Sequence, residues 1–253
     1  MSPVCAWARQ KYPDSKDLWA PDCAFFDGCY HLYYAVSTFG TNSSSIGLAT
    51  NSTLDPGNPA YAWIDRGVVI SSTKEDNWNA IDANVAFDRA NNPWLAFGSY
   101  WSGIKLTRLN PATGKLLDSR KPFISIASRD GGPIEAPFIV RHADYFYLFV
   151  SFDQCCRGVD SDYKIMVGRA SRITGPYVGR AGNPMMKGAG TLVLAGKGNV
   201  RGPGHNAVLQ EARGDWLVHH FYDAGANGAR TLQIRPLTWD AGGWPVAGDP
   251  ITQ

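Results

Sequence analysis

Two carboxylates, an imidazole and an indole stand at matching points of this 253-residue chain. Glu135 follows Asp130-Gly-Gly-Pro-Ile and opens an apolar run, Asp82 lies in Asn79-Ala-Ile-Asp-Ala-Asn, His205 in Arg201-Gly-Pro-Gly-His-Asn, and Trp19 in Leu18-Trp-Ala-Pro-Asp. A carboxyl at the mouth of an apolar strand is partly desolvated, the environment a general acid requires. A second carboxylate beside it would keep a proton on the acid by like-charge repulsion and help to orient it. Trp19 offers a stacking face for a sugar ring, and Phe39, in Ser37-Thr-Phe-Gly, extends that face. Such a set suits hydrolysis of a glycosidic bond. Each residue also has a plainer reading. Glu135 can be a strand-opening residue on the rim, Asp82 a turn residue bonded to its own backbone, Trp19 and Phe39 core. His205 is either a hydrogen-bonded structural imidazole or a ligand of a metal ion or an ordered water.

The plainer readings weaken once the elements that carry these residues are compared. Trp19–Tyr34, Asp82–Gly98, Glu135–Val150 and His205–His220 align as four copies of one hairpin, each a strand, a polar turn and a second strand rich in aromatic and aliphatic residues. The first residue precedes the central Leu of the second strand by 13 positions in the first three copies and by 12 in the last. A third strand follows each time: Ile46–Ala49, Ile104–Thr107, Ile165–Gly168 and Leu232–Arg235. Fourth strands are expected at Trp63–Ile70, Pro122–Ala127, Tyr177–Gly179 and Trp244–Val246. Repeat starts 63, 53 and 70 residues apart suit four-stranded blades with uneven loops. In a propeller the innermost strands line one channel, so Trp19, Asp82, Glu135 and His205 are expected at one mouth. The other Trp residues, such as Trp63, Trp94 and Trp216, are expected between blades.

Composition agrees with an all-β chain forming one domain over residues 1–253. Aromatic residues make up 12% and charged residues only 18%, with a formal net charge of +2, which leaves no footprint for a nucleic-acid partner. No apolar stretch reaches the length of a transmembrane helix, so a membrane is not an expected partner, and Met1–Pro13 has no cationic start followed by an apolar run. Five cysteines, Cys5, Cys23, Cys29, Cys155 and Cys156, fit no zinc spacing. The adjacent pair either forms a vicinal disulfide or sits reduced in the core.

The motifs Leu18-Trp-Ala-Pro-Asp22, Asn79-Ala-Ile-Asp82, Phe97-Gly-Ser-Tyr-Trp101, Ile134-Glu-Ala-Pro137, Cys155-Cys-Arg-Gly158 and Gly202-Pro-Gly-His205 together resemble those of endo-α-1,5-L-arabinanases of glycoside hydrolase family 43. The resemblance runs from about Leu18 to Pro245. It implies a five-bladed β-propeller with about four blades in this chain, and inverting hydrolysis of α-1,5-linked arabinan or arabino-oligosaccharides. Glu135 would be the general acid and Asp82 the carboxylate that tunes it. Trp19, Phe39, Asn79 and Ser99 would line the substrate groove, a central ion, often calcium, would lie near His205, and the protein would act outside the cell. No organic cofactor is implied.

One departure stands out. The family's first blade carries a His-Asp-Pro motif whose Asp activates water, and no His-Asp-Pro occurs in this chain. Asp14 and Asp17 are expected in a loop and Asp22 three residues along the strand from the catalytic register, so none replaces it convincingly. The expectation is a hydrolase with acid and modulator present, its N-terminal blade missing, its activity impaired, and its copies associating through the gap. The alternative is a propeller that binds carbohydrate without cleaving it. The residues before Trp19 are expected to form at most two strands.

Overall fold

In the computed structural model, which describes residues 5–251, the strands form four four-stranded antiparallel sheets of the blade type, each following chain order from one edge to the other. The first holds β1 (Trp19–Phe26), β2 (Cys29–Val36), β3 (Ser44–Asn51) and β4 (Ile64–Ser72). The second holds β5 (Asn84–Phe87), β6 (Pro93–Phe97), β7 (Ile104–Arg108) and β8 (Ile124–Ala127). The third holds β9 (Ile134–His142), β10 (Tyr145–Phe152), β11 (Lys164–Ala170) and β12 (Thr191–Leu194). The fourth holds β13 (Val200–Glu211), β14 (Gly214–Asp223), β15 (Ala229–Trp239) and β16 (Pro245–Ala247). Contacts divide the chain into two compact units, Met1–Ser125 and Ile126–Gln253.

Local chemistry explains the hairpins. Asp27 and Gly28, at φ +49° and +75°, make the two-residue connection between β1 and β2, the backbone that an Asp-Gly pair adopts most readily. The loop from β5 to β6 closes on Asp88, whose carboxylate accepts the N–H groups of Ala90 and Asn92 and the indole N–H of Trp94.

Within the first unit, Tyr33, Ile46, Leu48 and Ile70 of the first sheet pack against Val85, Leu95, Phe97 and Leu109 of the second sheet and its flanking loop, and Trp78 and Phe123 meet Phe97 edge-on. Within the second unit, Val140, Tyr147, Phe149, Ile165 and Val167 pack against Val208, Leu217, Leu237 and Trp244. Each such side chain, fully buried, contributes roughly 1.5–3 kcal/mol. Trp78, Trp239 and Trp244 are the tryptophans packed in these two cores. Trp63 instead packs beside the N-terminal helix, and Trp94 and Trp216 are half-buried, because their places on the pleat point them away from these cores.

Two expectations change. The stretch before β1 forms a helix, α1 (Ala6–Lys11), not strands. Ala, Arg, Gln and Lys are strong helix formers, and Ala8 and Tyr12, four apart and on one face, pack on Tyr34, Val36 and Ala49 of the first sheet. Trp7 stacks on Tyr34, and Lys11 donates to Ser45 and Ser71. In the third sheet the fourth strand is β12, not Tyr177–Gly179. Val178 makes only isolated bridges to Arg169 and Pro184, whereas Thr191 and Leu194 pair with Val167 and Ile165. Segment 177–179 leads instead into a turn at 179–182, closed by the N–H of Gly182 bonding the carbonyl of Gly179.

Candidate active site

The first strands of the four sheets share a device that the hairpin count only approximates. Leu32 pairs with Cys23, Leu95 with Val85, Leu148 with Ile139 and Leu217 with Val208. The residue three positions before each partner, Ala20, Asp82, Ala136 or His205, has a left-handed backbone at φ +42°, +58°, +53° or +48°. Non-glycine residues pay roughly 1–2 kcal/mol to sit there, and in the first, third and fourth sheets the pairing register shifts at that point. A bulge of this kind re-aims side chains at a strand end. Asp82 and His205 are thus equivalent residues, and Trp19 and Glu135 are equivalent one position earlier. The single register expected from the hairpin count resolves into two adjacent ones, because the β5–β6 turn is longer: Leu95 lies ten residues after its partner Val85, whereas Leu32, Leu148 and Leu217 each lie nine after theirs.

In the first unit, Asp82 is buried, and two residues on Asn84 donates its side-chain N–H to Asp22 Oδ2 at 3.2 Å, with the Val85 backbone N–H donating to the same oxygen at 2.7 Å. Asp22 therefore fastens β1 to β5. Asn79 is also buried. Its Oδ1 accepts the Ser44 hydroxyl at 2.7 Å and its amide donates to the Thr41 carbonyl, so it holds the Thr41–Ser44 segment beyond Phe39. Ser99 is buried, Trp19 is half-buried, and Phe39 is 76% exposed, an aromatic face open to a ligand. Asp14 and Asp17 are exposed in the turn and bend between α1 and β1.

In the second unit, Glu135 is half-buried near the start of β9 and lies opposite the fully buried Ser151 of β10. Ser151 Oγ accepts the backbone N–H of His205 at 2.8 Å, so one hydroxyl joins β10, the neighbour of the strand bearing Glu135, to β13, the strand bearing His205. Glu135 Oε1 accepts the Tyr163 hydroxyl at 2.5 Å. The loop ahead of Glu135 is anchored through Pro133, whose carbonyl accepts Nη1 of Arg129 at 2.7 Å and the Asp153 N–H at 3.2 Å. Asp153 binds Arg129 at 2.9 Å and Lys164 at 2.5 Å. Burial pushes its carboxyl up, but the bonds from Lys164 and Arg129 outweigh that and hold it below the usual range.

Burial, followed by the neighbouring His205 and His219, pushes His220 down to about 4, so its imidazole is neutral in ordinary buffers. It lies beside the Tyr163 and Tyr222 rings. Cys155 and Cys156 form a vicinal disulfide, and the pair is half-buried to exposed, not in the core. The Cys156 N–H donates to the hydroxyl of buried Tyr222 at 2.7 Å. Sequence reasoning missed Tyr163, Ser151 and His220, although glycine spacing in the Gly202-Pro-Gly204 motif was a signal. A Cβ at Gly204 would lie 2.0 Å from the Tyr163 ring, and one at Gly202 2.6 Å from Ser161.

No group of three or more His, Cys, Asp or Glu among the described residues is arranged to hold a metal ion. Calcium takes about six to eight oxygen ligands, so His205 with its neighbours does not make a protein cage for it, and no step below runs through an ion.

Blade-type sheets with a carboxyl held near the start of a strand are compatible with a glycoside hydrolase, and similarity to known proteins shows that class. Residues 1–245 match the model of glycosyl hydrolases family 43. The chain is 45% identical over 246 residues to the extracellular endo-α-(1→5)-L-arabinanase 1 of Bacillus subtilis (strain 168), covering 96% of this chain and 73% of that protein. It is 41% identical over 251 residues to the extracellular exo-α-(1→5)-L-arabinofuranosidase ArbA of Cellvibrio japonicus (strain Ueda107), covering 94% and 72%. The solved Cellvibrio cellulosa α-L-arabinanase complexed with arabinohexaose superposes with a TM-score of 0.93 at 40% identity, covering 98% of this chain and 82% of that one. The chain belongs to glycosyl hydrolases family 43. Among the described residues no helix is long and apolar enough to cross a membrane.

Proposed function

We propose that this hydrolase cleaves α-1,5-linked L-arabinan or arabino-oligosaccharides with inversion, Glu135 acting as the general acid and Asp82 as the carboxylate that tunes it. The observation that carries the reading is Glu135 itself: a half-buried carboxyl near the start of β9, accepting the Tyr163 hydroxyl, in a chain similar to arabinanases over nearly its whole length. In this mechanism the proton passes from Glu135 to the glycosidic oxygen as the bond between that oxygen and the anomeric carbon breaks, while water adds from the opposite face and gives its proton to solvent, since no residue of this chain is assigned as its base, so turnover is expected to be impaired. Asp22 is not assigned to activate that water, because Val85 and Asn84 already engage its carboxylate.

Trp19 and Phe39 are proposed to stack on arabinose rings, with Ser99 beside them and Asn79 holding the loop that follows Phe39. The arabinohexaose complex of the Cellvibrio enzyme supports an oligosaccharide ligand, and the extracellular relatives support action outside the cell. A five-bladed arrangement and a water-held ion near His205 belong to the same proposal, the ion testable by calorimetry with Ca2+. Self-association is supported by exposed Leu209, Leu232, Ile234 and Val246, which share one face of the fourth sheet, and light scattering tests it.

Proton NMR of the first products from linear 1,5-arabinan tests the reaction. The initial anomer at the new reducing end is expected to be inverted. Retention would contradict the mechanism, and binding without turnover would favour a carbohydrate-binding protein.

A further inference from the structure

Tyr163 belongs to none of the motifs that carry the family resemblance, yet it is the residue that the second unit is built to deliver to Glu135. It sits between the loop 153–162 and β11, and only 1% of it is exposed. The loop is closed upon itself: Gln154 donates to the Asp162 carboxylate at 2.9 Å, Asp162 donates back to the Gln154 carbonyl at 3.2 Å, and Arg157 donates to the Ser161 hydroxyl at 3.0 Å. The Cys156 N–H ties the same loop to Tyr222 of β14. On the other side, the ring of Tyr163 lies so close to β13 that only glycine fits at position 204. A buried phenol seated this tightly has little rotational freedom, and its hydroxyl ends on Oε1 of Glu135 at 2.5 Å.

We propose that Tyr163 is a positioning residue for proton donation: by donating to Oε1 of Glu135 it assigns the transferable proton to Oε2 and turns that oxygen toward the scissile bond. This rests on Glu135 being the general acid. When Oε2 gives its proton to the leaving oxygen, the carboxylate left behind keeps the Tyr163 hydrogen bond, which is stronger to a charged acceptor than to a neutral one. The bond therefore strengthens as the reaction proceeds, the condition for lowering the barrier and not merely for binding substrate.

The inference makes a leaving-group prediction that a structural tyrosine would not. Tyr163→Phe keeps the ring against Gly204 and removes only the hydroxyl. On linear arabino-oligosaccharides, whose leaving group needs protonation, kcat is expected to fall about 10- to 100-fold with KM nearly unchanged. On an arabino-oligosaccharide bearing a 2-chloro-4-nitrophenyl aglycone, which departs without protonation, the loss should be under about threefold. In a Glu135→Gln background, Tyr163→Phe should add little further loss on the oligosaccharide, because both changes remove the same unit.

The circular dichroism and thermal midpoint of each variant establish that the fold is intact. Should Tyr163→Phe lower both substrates equally, or neither, the positioning role is overturned while Glu135 stands. A Glu135→Gln enzyme with wild-type turnover on the oligosaccharide overturns the acid assignment, and with it this inference. If Tyr163→Phe does not fold, Gly204→Ala, which crowds the ring while leaving the hydroxyl, is measured on the same two substrates. Equal losses there overturn the role, and a loss confined to the oligosaccharide supports it.

Discussion

The backbone N–H of His205 hangs on the side-chain oxygen of Ser151 at 2.8 Å, and Ser151 is the cross-strand partner of Glu135. A fully buried serine at this point is a hydrogen-bond post between two sheets of one unit. Ser151→Ala would leave the His205 N–H without its acceptor, a loss of about 1–3 kcal/mol. Urea denaturation measures it, and a midpoint equal to that of the wild type would show that the bond is not maintained in solution.

Asp22 is expected to behave as a fastener and not as a catalytic base. Asp22→Ala removes the acceptor of the Val85 N–H and the Asn84 amide. Stability should fall by about 1–3 kcal/mol, while turnover at a temperature where the variant stays folded remains within about threefold of wild type, far from the loss expected on removing a general base. A folded, equally stable and inactive variant would instead make Asp22 the group that activates water.

Stability should decline on mild acidification. Burial pushes His219 and His220 down to about 4 and lowers His31 as well, against an ordinary histidine value of 6.5. The unfolded chain therefore takes up these protons first. The contribution is fully present above about 6.5 and is lost as pH falls toward about 4. Thermal midpoints across that interval are expected to fall, and His219→Gln should flatten part of the slope. A flat profile would mean that these imidazoles are protonated equally in both states.

If Asp82 tunes the acid electrostatically, Asp82→Asn removes a negative charge and makes the acid give up its proton more readily. The alkaline limb of the kcat/KM profile should then move to lower pH, together with a reduced rate. An unshifted profile would separate the two carboxylates functionally.

The hairpins and third strands were legible because short alternating and aromatic runs punctuated by Asp-Gly and Asn-rich turns leave the backbone few alternatives. Glu135, Asp82 and His205 were legible as strand-end residues in a repeat. The left-handed position that Asp82 and His205 share, one residue on from that of Trp19 and Glu135, was not, since a left-handed residue such as Ala20 or Ala136 carries no compositional mark. The edge strand β12 was hidden because Thr191-Leu-Val-Leu and Tyr177-Val-Gly have similar local preferences, and only pairing with β11 decides between them. Tyr163 was hidden for a related reason. It lies 28 residues from Glu135, and the loop closure and glycine clearance that bring it there are tertiary facts.

Release of reducing ends from debranched linear arabinan by the wild type and by Glu135→Gln, at equal concentrations of folded protein, tests the central claim most directly. An amide has nearly the shape of the acid but no proton to give, and the poor leaving group of an arabinan chain needs one. Any release by the wild type is expected to fall at least about a hundredfold in the variant, with its circular dichroism unchanged. A Glu135→Gln protein that matches an active wild type would contradict the account, and a wild type that binds arabinan and releases nothing would favour the carbohydrate-binding alternative.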